Sequence, residues 1–408
     1  MRNNLTLGFF GFGCVGQGLY HVLAETHGIK ATIQKICVKN RNKIRPISSE
    51  IFTYEKSDIL DNPEIDVVVE MIDDATAAFD IVKAALQNGK SVVTANKRML
   101  AEHLEEIYQL QQRYGKPVLY EAAVCGAIPI LRNLEEYYDN DLITSIEGIF
   151  NGSTNYILTK VFEERKNYAD ALKQAQELGF AESDPRLDVK GFDPKFKLAI
   201  AIAHTFGVFV KPDQIINLGI DKISEVDLKF ARENGYTIKL VVRAFKENGK
   251  VYGLVAPQFL EPTNLLASVR NEFNAVIVQG AFSEKQLFVG KGAGSYPTGS
   301  AMLSDISALT YDYHYEYKKR KQKDSNTFSN DAVVEVLVSF NDKSLVSPQD
   351  FEDFKGGYQG HGNQYMNGFV GLEKLREWSA LEGISIILTP QFNLVSRTHL
   401  KQRQPLVA

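Results

Sequence analysis

Between Gly179 and Lys197 the chain reads GFAESDPRLDVKGFDPKFK, which sets Glu182, Asp184, Asp188 and Asp193 in a short loop and Lys197 on the helix that follows. The sequence places Asp193 as the N-cap and Pro194 at the first helical position, where its missing N–H is not needed. Lys197 then falls in or just past the first turn, where the helix dipole disfavours a cation. A lysine exchanges protons at neutral pH when burial and a helix N-terminus favour its neutral form. Residues Leu198 to Phe206, LAIAIAHTF, are apolar on almost every face and predict a buried helix that carries Lys197 inward. The neighbouring acids favour the charged form instead. The residues alone leave both readings open: a proton-transfer site, or a capped helix whose lysine snorkels to the surface.

Elements able to hold a reaction partner lie nearer the amino terminus. An apolar run, Leu5 to Phe10, ends in Gly11-Phe12-Gly13-Cys14-Val15-Gly16, and Leu19, Tyr20, Val22 and Leu23 then recur at helical spacing. Strand, tight turn and helix are the context in which G-x-G-x-x-G binds a dinucleotide, with the pyrophosphate at the helix N-terminus. A second strand, Thr32 to Val38, ends in Lys39-Asn40-Arg41-Asn42-Lys43. Cations without a carboxylate at that place favour a 2′-phosphate, hence NADP over NAD. Asp66 to Met71 reads as a buried parallel strand, Ala75 to Gln87 as a helix and Ser91 to Thr94 as the next strand, followed by Ala95-Asn96-Lys97. The carboxyl end of a parallel strand faces the ligand crevice, which makes Lys97 a candidate for cofactor or substrate contact.

After Pro129, which starts a helix, the pattern changes. Ile143 to Phe150 predicts a strand running into Asn151-Gly152-Ser153-Thr154-Asn155, with helices from Tyr156 and from Tyr168 to Leu178. Tyr236 to Phe259 reads as a hairpin turning at Glu247-Asn248-Gly249. A second glycine-rich turn, Gly290 to Gly294, precedes a helix from Thr298 to Leu309. The run YDYHYEY, Tyr311 to Tyr317, reads as an interface strip, and KKRKQK, Lys318 to Lys323, opens a solvated linker through Asn330. Residues 331–408 are expected to form a small unit of their own. A net charge of -4 over 408 residues gives no global attraction to nucleic acid. Cys14, Cys37 and Cys125 lack metal-site spacing, and no apolar run spans a membrane. With no signal peptide in view, the expected home is the cytoplasm.

In order along the chain, GFGCVG, TANK at Thr94 to Lys97, EAAVCGAIPI, IFNGSTNYIL, GFAESDPRLDVKGFDPKFK and GKGAGSYPTGSAML resemble the homoserine dehydrogenases over most of Leu5 to Leu309. The resemblance implies interconversion of L-homoserine and L-aspartate 4-semialdehyde with a nicotinamide cofactor, by a monofunctional enzyme. By motif position, Lys197 looks like the family's acid/base and Glu182 like its substrate-binding carboxylate. Asp188 and Asp193 look like supports of the substrate's amino and hydroxyl ends, and Gly152 and Ser153 like an amide-donating turn beside it. Lys97 resembles a lysine near substrate and nicotinamide. Phe12, Cys14, Val15, Ile72 and Gly294 resemble cofactor-lining positions, beside Gly11, Gly13, Gly16 and Lys39. The resemblance also implies a monovalent cation, often sodium, at Glu121, Val124, Gly126 and Ile128, and a homodimer.

The implied architecture is α/β. A Rossmann-like doubly wound nucleotide domain takes residues 1–130 plus about 291–317, and an inserted α+β catalytic and dimerisation domain takes 131–290. A linker at 318–330 leads to a small C-terminal α/β unit at 331–408. Glu382-Gly383-Ile384-Ser385-Ile386 resembles one strand of a regulatory ACT domain, and too few residues are expected to follow it for the ferredoxin-like order to be completed. Asp73-Asp74 stands where relatives commonly have a glycine pair, placing negative charge near the cofactor. Competing readings are a dehydrogenase for a related amino or oxo acid, and a nucleotide-binding sensor without turnover. Retention of both Glu182 and Lys197 argues against the sensor.

Overall fold

The structure is a computed structural model that describes residues 4–140, 142–322, 326–360, 363–391 and 394–396. The chain divides into two units: residues 1–141, 199–209 and 290–322 form the first, and residues 142–198, 210–289 and 323–408 the second.

The first unit is built on a parallel sheet of β1 (Leu5–Phe10), β2 (Ala31–Cys37), β3 (Phe52–Thr53), β4 (Val67–Glu70), β5 (Ser91–Thr94) and β6 (Val118–Leu119). Its order is β3-β2-β1-β4-β5-β6, so the direction of winding reverses beside β1. Ligands of open α/β sheets bind outside the carboxyl ends of the strands at such a switch point. Val67, Val68 and Val69 are fully enclosed, as strands covered on both faces must be. The helix Ser295–Leu309 returns to this unit and crosses the helix Cys14–Glu25 at two glycines. A Cβ on Gly18 would lie 2.1 Å from the Ser295 carbonyl oxygen, and one on Gly299 would lie 2.7 Å from the Leu19 nitrogen.

The expected interface strip and the start of the expected linker are corrected here at Tyr315, Tyr317 and Lys319, while Lys318, Arg320, Lys321 and Gln322 are exposed as expected and residues 323–325 lie outside the described residues. Tyr315 and Tyr317 are buried around the Tyr120 and His204 rings. His204 bonds the Tyr120 hydroxyl at 2.8 Å and Glu135 Oε1 at 2.6 Å. The Tyr317 backbone N–H donates to Glu135 Oε2 at 2.9 Å. Lys319 is buried as well, its ammonium donating to the carbonyls of His204 and Leu134, and the Arg320 guanidinium lies 4.3 Å from the Phe209 ring centre. A basic run is thus pinned by carbonyl oxygens and aromatic faces, neither of which charge patterning reveals.

The second unit carries a sheet of twelve strands among the described residues. They are β7 (Ile143–Ile149), β8 (Ile216–Asn217), β9 (Thr237–Glu247), β10 (Lys250–Leu260), β11 (Phe273–Gly280), β12 (Glu284–Lys291), β13 (Thr327–Phe328), β14 (Ala332–Phe340), β15 (Asp353–Gly360), β16 (Asn363–Gly371), β17 (Ile384–Leu388) and β18 (Leu394–Ser396). The main path runs β12-β11-β7-β9-β10-β17-β14-β16-β15. β9 and β10 are joined through Asn248 and Gly249, both at positive φ (50° and 73°), the two-residue turn that matches strand twist.

Residues 331–408 do not stand apart as expected. β17 pairs in parallel with β10 at Gln258 and Leu388, and Tyr252, Leu254 and Ala256 of β10 share one apolar core with Val334, Val336 and Val338 of β14 and with Leu372, Leu375 and Trp378. The ferredoxin-like strand order is also completed. β17-β14-β16-β15 are antiparallel neighbours, the helix Leu372–Ser379 serves the second crossover, and the first crossover contains only the short turn Pro348–Asp350. Ile384–Leu388 is the last strand of that order rather than an early one, so few further residues are needed. Trp378 is 2% exposed in this shared core. Trp378→Ala is therefore expected to cost about 3–5 kcal/mol, read from the urea midpoint, and to lower the melting of the whole second unit in one transition. A separate transition confined to the C-terminal strands would contradict the shared core.

Candidate active site

Lys197 sits on the helix Phe192–Phe206, which begins two residues earlier than expected. Gly191, at φ 77°, turns the chain into it, and the Lys195 amide reaches back to the Gly191 carbonyl at 3.3 Å. Pro194 is then third rather than first, still among the four positions whose N–H has no partner inside the helix. Asp193 is consequently not the cap. Its carboxylate lies 2.8 Å from the Lys197 ammonium, one turn away on the same face.

Lys197 and Asp193 are 5% and 4% exposed. Burying an ion pair is costly unless the remaining donors and acceptors are satisfied. The ammonium donates to the Phe150 carbonyl at 2.6 Å, and the Asn151 amide donates to Asp193 Oδ2 at 2.8 Å and to Asp188 Oδ1 at 2.7 Å. Asn151 also caps the helix Gly152–Glu163, its Oδ1 accepting from the Thr154 backbone at 2.8 Å. One side chain thereby fixes a helix start and two carboxylates. Asn151 was not among the residues expected to form the site; its place just before Gly152 is the signal that could have found it.

The other expected substrate residues are placed differently. Ser153 is buried and its hydroxyl donates to the Phe180 carbonyl. Gly152 permits close approach of backbone, since a Cβ there would lie 2.5 Å from the Glu272 carbonyl oxygen. Glu182 is exposed on the loop, where the Gln176 amide holds its backbone carbonyl at 3.0 Å. The structure brings Asp188, Asp193 and Lys197 into one hydrogen-bonded cluster and leaves Glu182 outside it. Asp184 is paired with Arg186 at the surface.

In the first unit the glycine loop forms a cradle. Gly11 has φ 99°, and a Cβ there would lie 2.7 Å from the Met71 carbonyl oxygen. A Cβ on Gly16 would lie 2.9 Å from the Gly11 carbonyl oxygen, whereas Gly13 faces open space. Gly13 is the N-cap of the helix Cys14–Glu25 and has no side-chain cap bond, so the helix amides remain available to an anion. Val15 lies in the first turn of that helix. The Ser295 hydroxyl donates to the Cys14 carbonyl at 2.7 Å, which brings Gly294, the N-cap of the returning helix, to the same loop. A cavity of about 240 Å³ opens beside it, lined by Phe12, Gly13, Ile72, Lys39, Lys43, Arg45 and Lys56 among others. Asp74 caps the helix Ala75–Gln87 through the Ala77 amide at 2.9 Å; that bond, with Lys39 and Lys56 nearby, holds its carboxyl below the usual range. Lys97 is the first residue of the helix Lys97–Tyr114, capped by Asn96.

Residues 121–128 form a buried loop after β6. The Glu121 carboxylate accepts from the Leu131 and Arg132 amides at 2.7 and 2.8 Å, and Cys125 and Gly126 are both left-handed (φ 58° and 54°). Val124 and Ile128 are buried, and the Ile128 carbonyl accepts from Ile130 at 2.8 Å. Among the described residues, His, Cys, Asp and Glu nowhere gather into a metal-binding group, and no helix is long and apolar enough to cross a membrane.

A dinucleotide cradle in one unit and a buried lysine held by carboxylates in the other are the equipment of a nicotinamide-dependent dehydrogenase. A homoserine dehydrogenase family model matches residues 129–307, and a model of the homoserine dehydrogenase NAD binding domain matches residues 11–121. The homoserine dehydrogenase of Bacillus subtilis (strain 168) is 38% identical over 314 residues, covering 75% of this chain and 72% of the relative. That of Helicobacter pylori is 37% identical over 313 residues, covering 75% and 74%. The crystal structure of a homoserine dehydrogenase from Thiobacillus denitrificans superposes with a TM-score of 0.82 at 29% identity, covering 95% of this chain and 98% of that one. A hyperthermophilic archaeal homoserine dehydrogenase mutant in complex with NADPH gives 0.66 at 25% identity, covering 77% and 99%. The chain belongs to the homoserine dehydrogenase family and is an NAD(P)-dependent oxidoreductase.

Glu70, at the carboxyl end of β4, is wholly buried, and burial pushes its carboxyl from an ordinary 4.5 up to about 7. The folded state therefore holds a proton that the unfolded chain releases. This contribution to stability is complete below about pH 4.5 and is lost as pH rises through about 7. Urea midpoints are expected to fall between pH 5 and pH 7.5 in the wild type by more than in Glu70→Gln, and equal slopes would show that Glu70 is ionised throughout.

Proposed function

We propose that this homoserine dehydrogenase prefers NADP, and that Lys197 exchanges the proton at the reacting oxygen of homoserine and aspartate 4-semialdehyde. The observation that carries this reading is the buried Lys197–Asp193 pair, oriented by Asn151 and the Phe150 carbonyl. The cofactor supplies the hydride chemistry; the protein's part is to orient and to move a proton. Oxidation of homoserine removes a hydride from its carbinol carbon and the hydroxyl proton from its oxygen, and in the reverse direction an ammonium already fixed beside the carbonyl oxygen returns that proton. Asp188, Asp193 and the loop acid Glu182 suit a substrate that carries an ammonium group, and Gly152 and Ser153 bring bare backbone to it. Gly11, Phe12, Gly13, Cys14, Val15, Gly16, Ile72, Lys97 and Gly294 serve the cofactor.

Lys39, Lys43, Arg45 and Lys56 line the cavity beside the glycine loop, a set suited to the 2′-phosphate of NADP. The loop 121–128 fits a monovalent cation held by carbonyl oxygens of Glu121, Val124, Gly126 and Ile128. Two successive left-handed residues tighten it, and no described group donates to the Val124 or Gly126 carbonyl. A homodimer and a place in threonine and methionine biosynthesis belong to the same reading.

Homoserine-dependent reduction of NADP and NAD tests it. Wild type is expected to favour NADP in kcat/KM, and Lys197→Met to bind NADPH normally while losing at least about a thousandfold in kcat. Wild type that binds NADPH but leaves homoserine unoxidised, with sodium or potassium present, would overturn the reading.

A further inference from the structure

β4 is an unbroken apolar run until its last residue, where Glu70 sits fully buried. Among the described contacts no lysine or arginine neutralises it. Its oxygens accept instead from neutral donors on two neighbouring crevice loops: Oε1 from the Ile72 backbone N–H at 2.7 Å, and Oε2 from the Thr94 hydroxyl at 2.5 Å. Thr94, its register partner on β5, accepts in turn from the Asn96 N–H at 3.0 Å, and the Asn96 amide donates to the Ile72 carbonyl at 2.9 Å. The bonds close a ring through Glu70, Ile72, Asn96 and Thr94. Asn96 leaves this ring only to cap, through the Met99 N–H at 3.0 Å, the helix whose first residue is Lys97. On the opposite side the Ile72 side chain leans on Gly11, 3.3 Å from where a Cβ would stand.

We infer that Glu70 is a positioning residue for the nicotinamide half of the cofactor: it locks the Ile72 backbone to the Thr94–Lys97 turn, so that two crevice loops present one fixed surface. The inference rests on the proposed function, and on the switch-point location of the ring within the nucleotide unit. A neutral side chain could fill the space. The ionised form that Glu70 takes above about pH 7 does more, because its two oxygens can receive one donor from each side at once, and donors to a charged acceptor are held in tighter geometry. Glutamine at this place keeps one acceptor for Ile72 but presents an amide donor to the Thr94 hydroxyl, so the bond on the β5 side must reverse and loses its charged acceptor.

Binding of NADPH and of 2′,5′-ADP, which lacks the nicotinamide, measured above about pH 7 where Glu70 is ionised, separates this role from simple structural support. In Glu70→Gln, NADPH affinity is expected to fall about tenfold, while 2′,5′-ADP, whose cavity is lined by Ile72 but not by the Thr94–Lys97 turn, is expected to lose no more than about threefold. The kcat for homoserine is expected to fall by a similar factor with its KM within about twofold. Thr94→Val, which removes only the β5 leg, is expected to fall between wild type and Glu70→Gln, and serves as the second variant should Glu70→Gln fold poorly. Wild-type affinity and kcat in both variants would overturn the inference, as would equal loss of both ligands accompanied by a lowered melting temperature. Should wild type fail to oxidise homoserine, the proposed function falls, and the ratio of NADPH to 2′,5′-ADP binding still decides the role of Glu70.

Discussion

A buried ammonium is the constraint to which the second unit is built. Lys197 and Asp193 are almost wholly withdrawn from water, and a pair in that position stabilises little by itself and costs much when one partner is left unmatched. The remedy draws partners from three elements. Phe150, just after β7, offers its carbonyl, the next residue holds two carboxylates with one amide, and the same residue starts the following helix. The strand, the helix and the acidic loop cannot shift independently without stranding a polar group in a dry interior.

The nucleotide unit solves a different problem, that of close approach. Gly11 and Gly16 let backbone lie against backbone around the pyrophosphate position, while Gly18 and Gly299 do the same one turn deeper, where two helices cross. The first pair belongs to a fingerprint that can be read in any such sequence. The second pair is visible only once the returning helix is in place, because Gly299 means nothing without Leu19 beside it.

Much of this was legible in the residues, and the boundary has a physical explanation. The glycine loop, the Asn248-Gly249 turn and the apolar helix after Lys197 are local signals, carried by φ preferences and periodicity within a few positions. The β4 and β5 strands and the return of residues near 294 toward the cofactor loop were likewise anticipated from short runs and from motif order. Asn151 was passed over because its bridging role depends on Asp188 and Asp193, 37 and 42 residues away, and an asparagine before Gly-Ser reads locally as a turn residue. The basic run at Lys318 misled for a related reason: carbonyls and rings that accept a lysine leave no trace in charge patterning. Residues 331–408 were assigned to a body of their own, because nothing in an alternating strand tells which neighbour it will pair with.

The crossing of the first and last helices of the nucleotide unit also governs when that unit can come into being. Ser295 and Cys14, which bond across it, are 281 residues apart in the chain. At roughly 5–20 residues per second, about 15 to 60 s of translation separates their emergence from the ribosome. During that interval the glycine face of the first helix has no partner, although the six strands of the parallel sheet, the last ending at Leu119, are already made. The cofactor cradle is therefore a late product of synthesis, completed only after six of the second unit's twelve described strands are already outside. A chain interrupted before about residue 309 holds the residues of the substrate cluster and of the glycine loop, but neither the helix that closes the nucleotide unit nor the strands that complete the second unit's core.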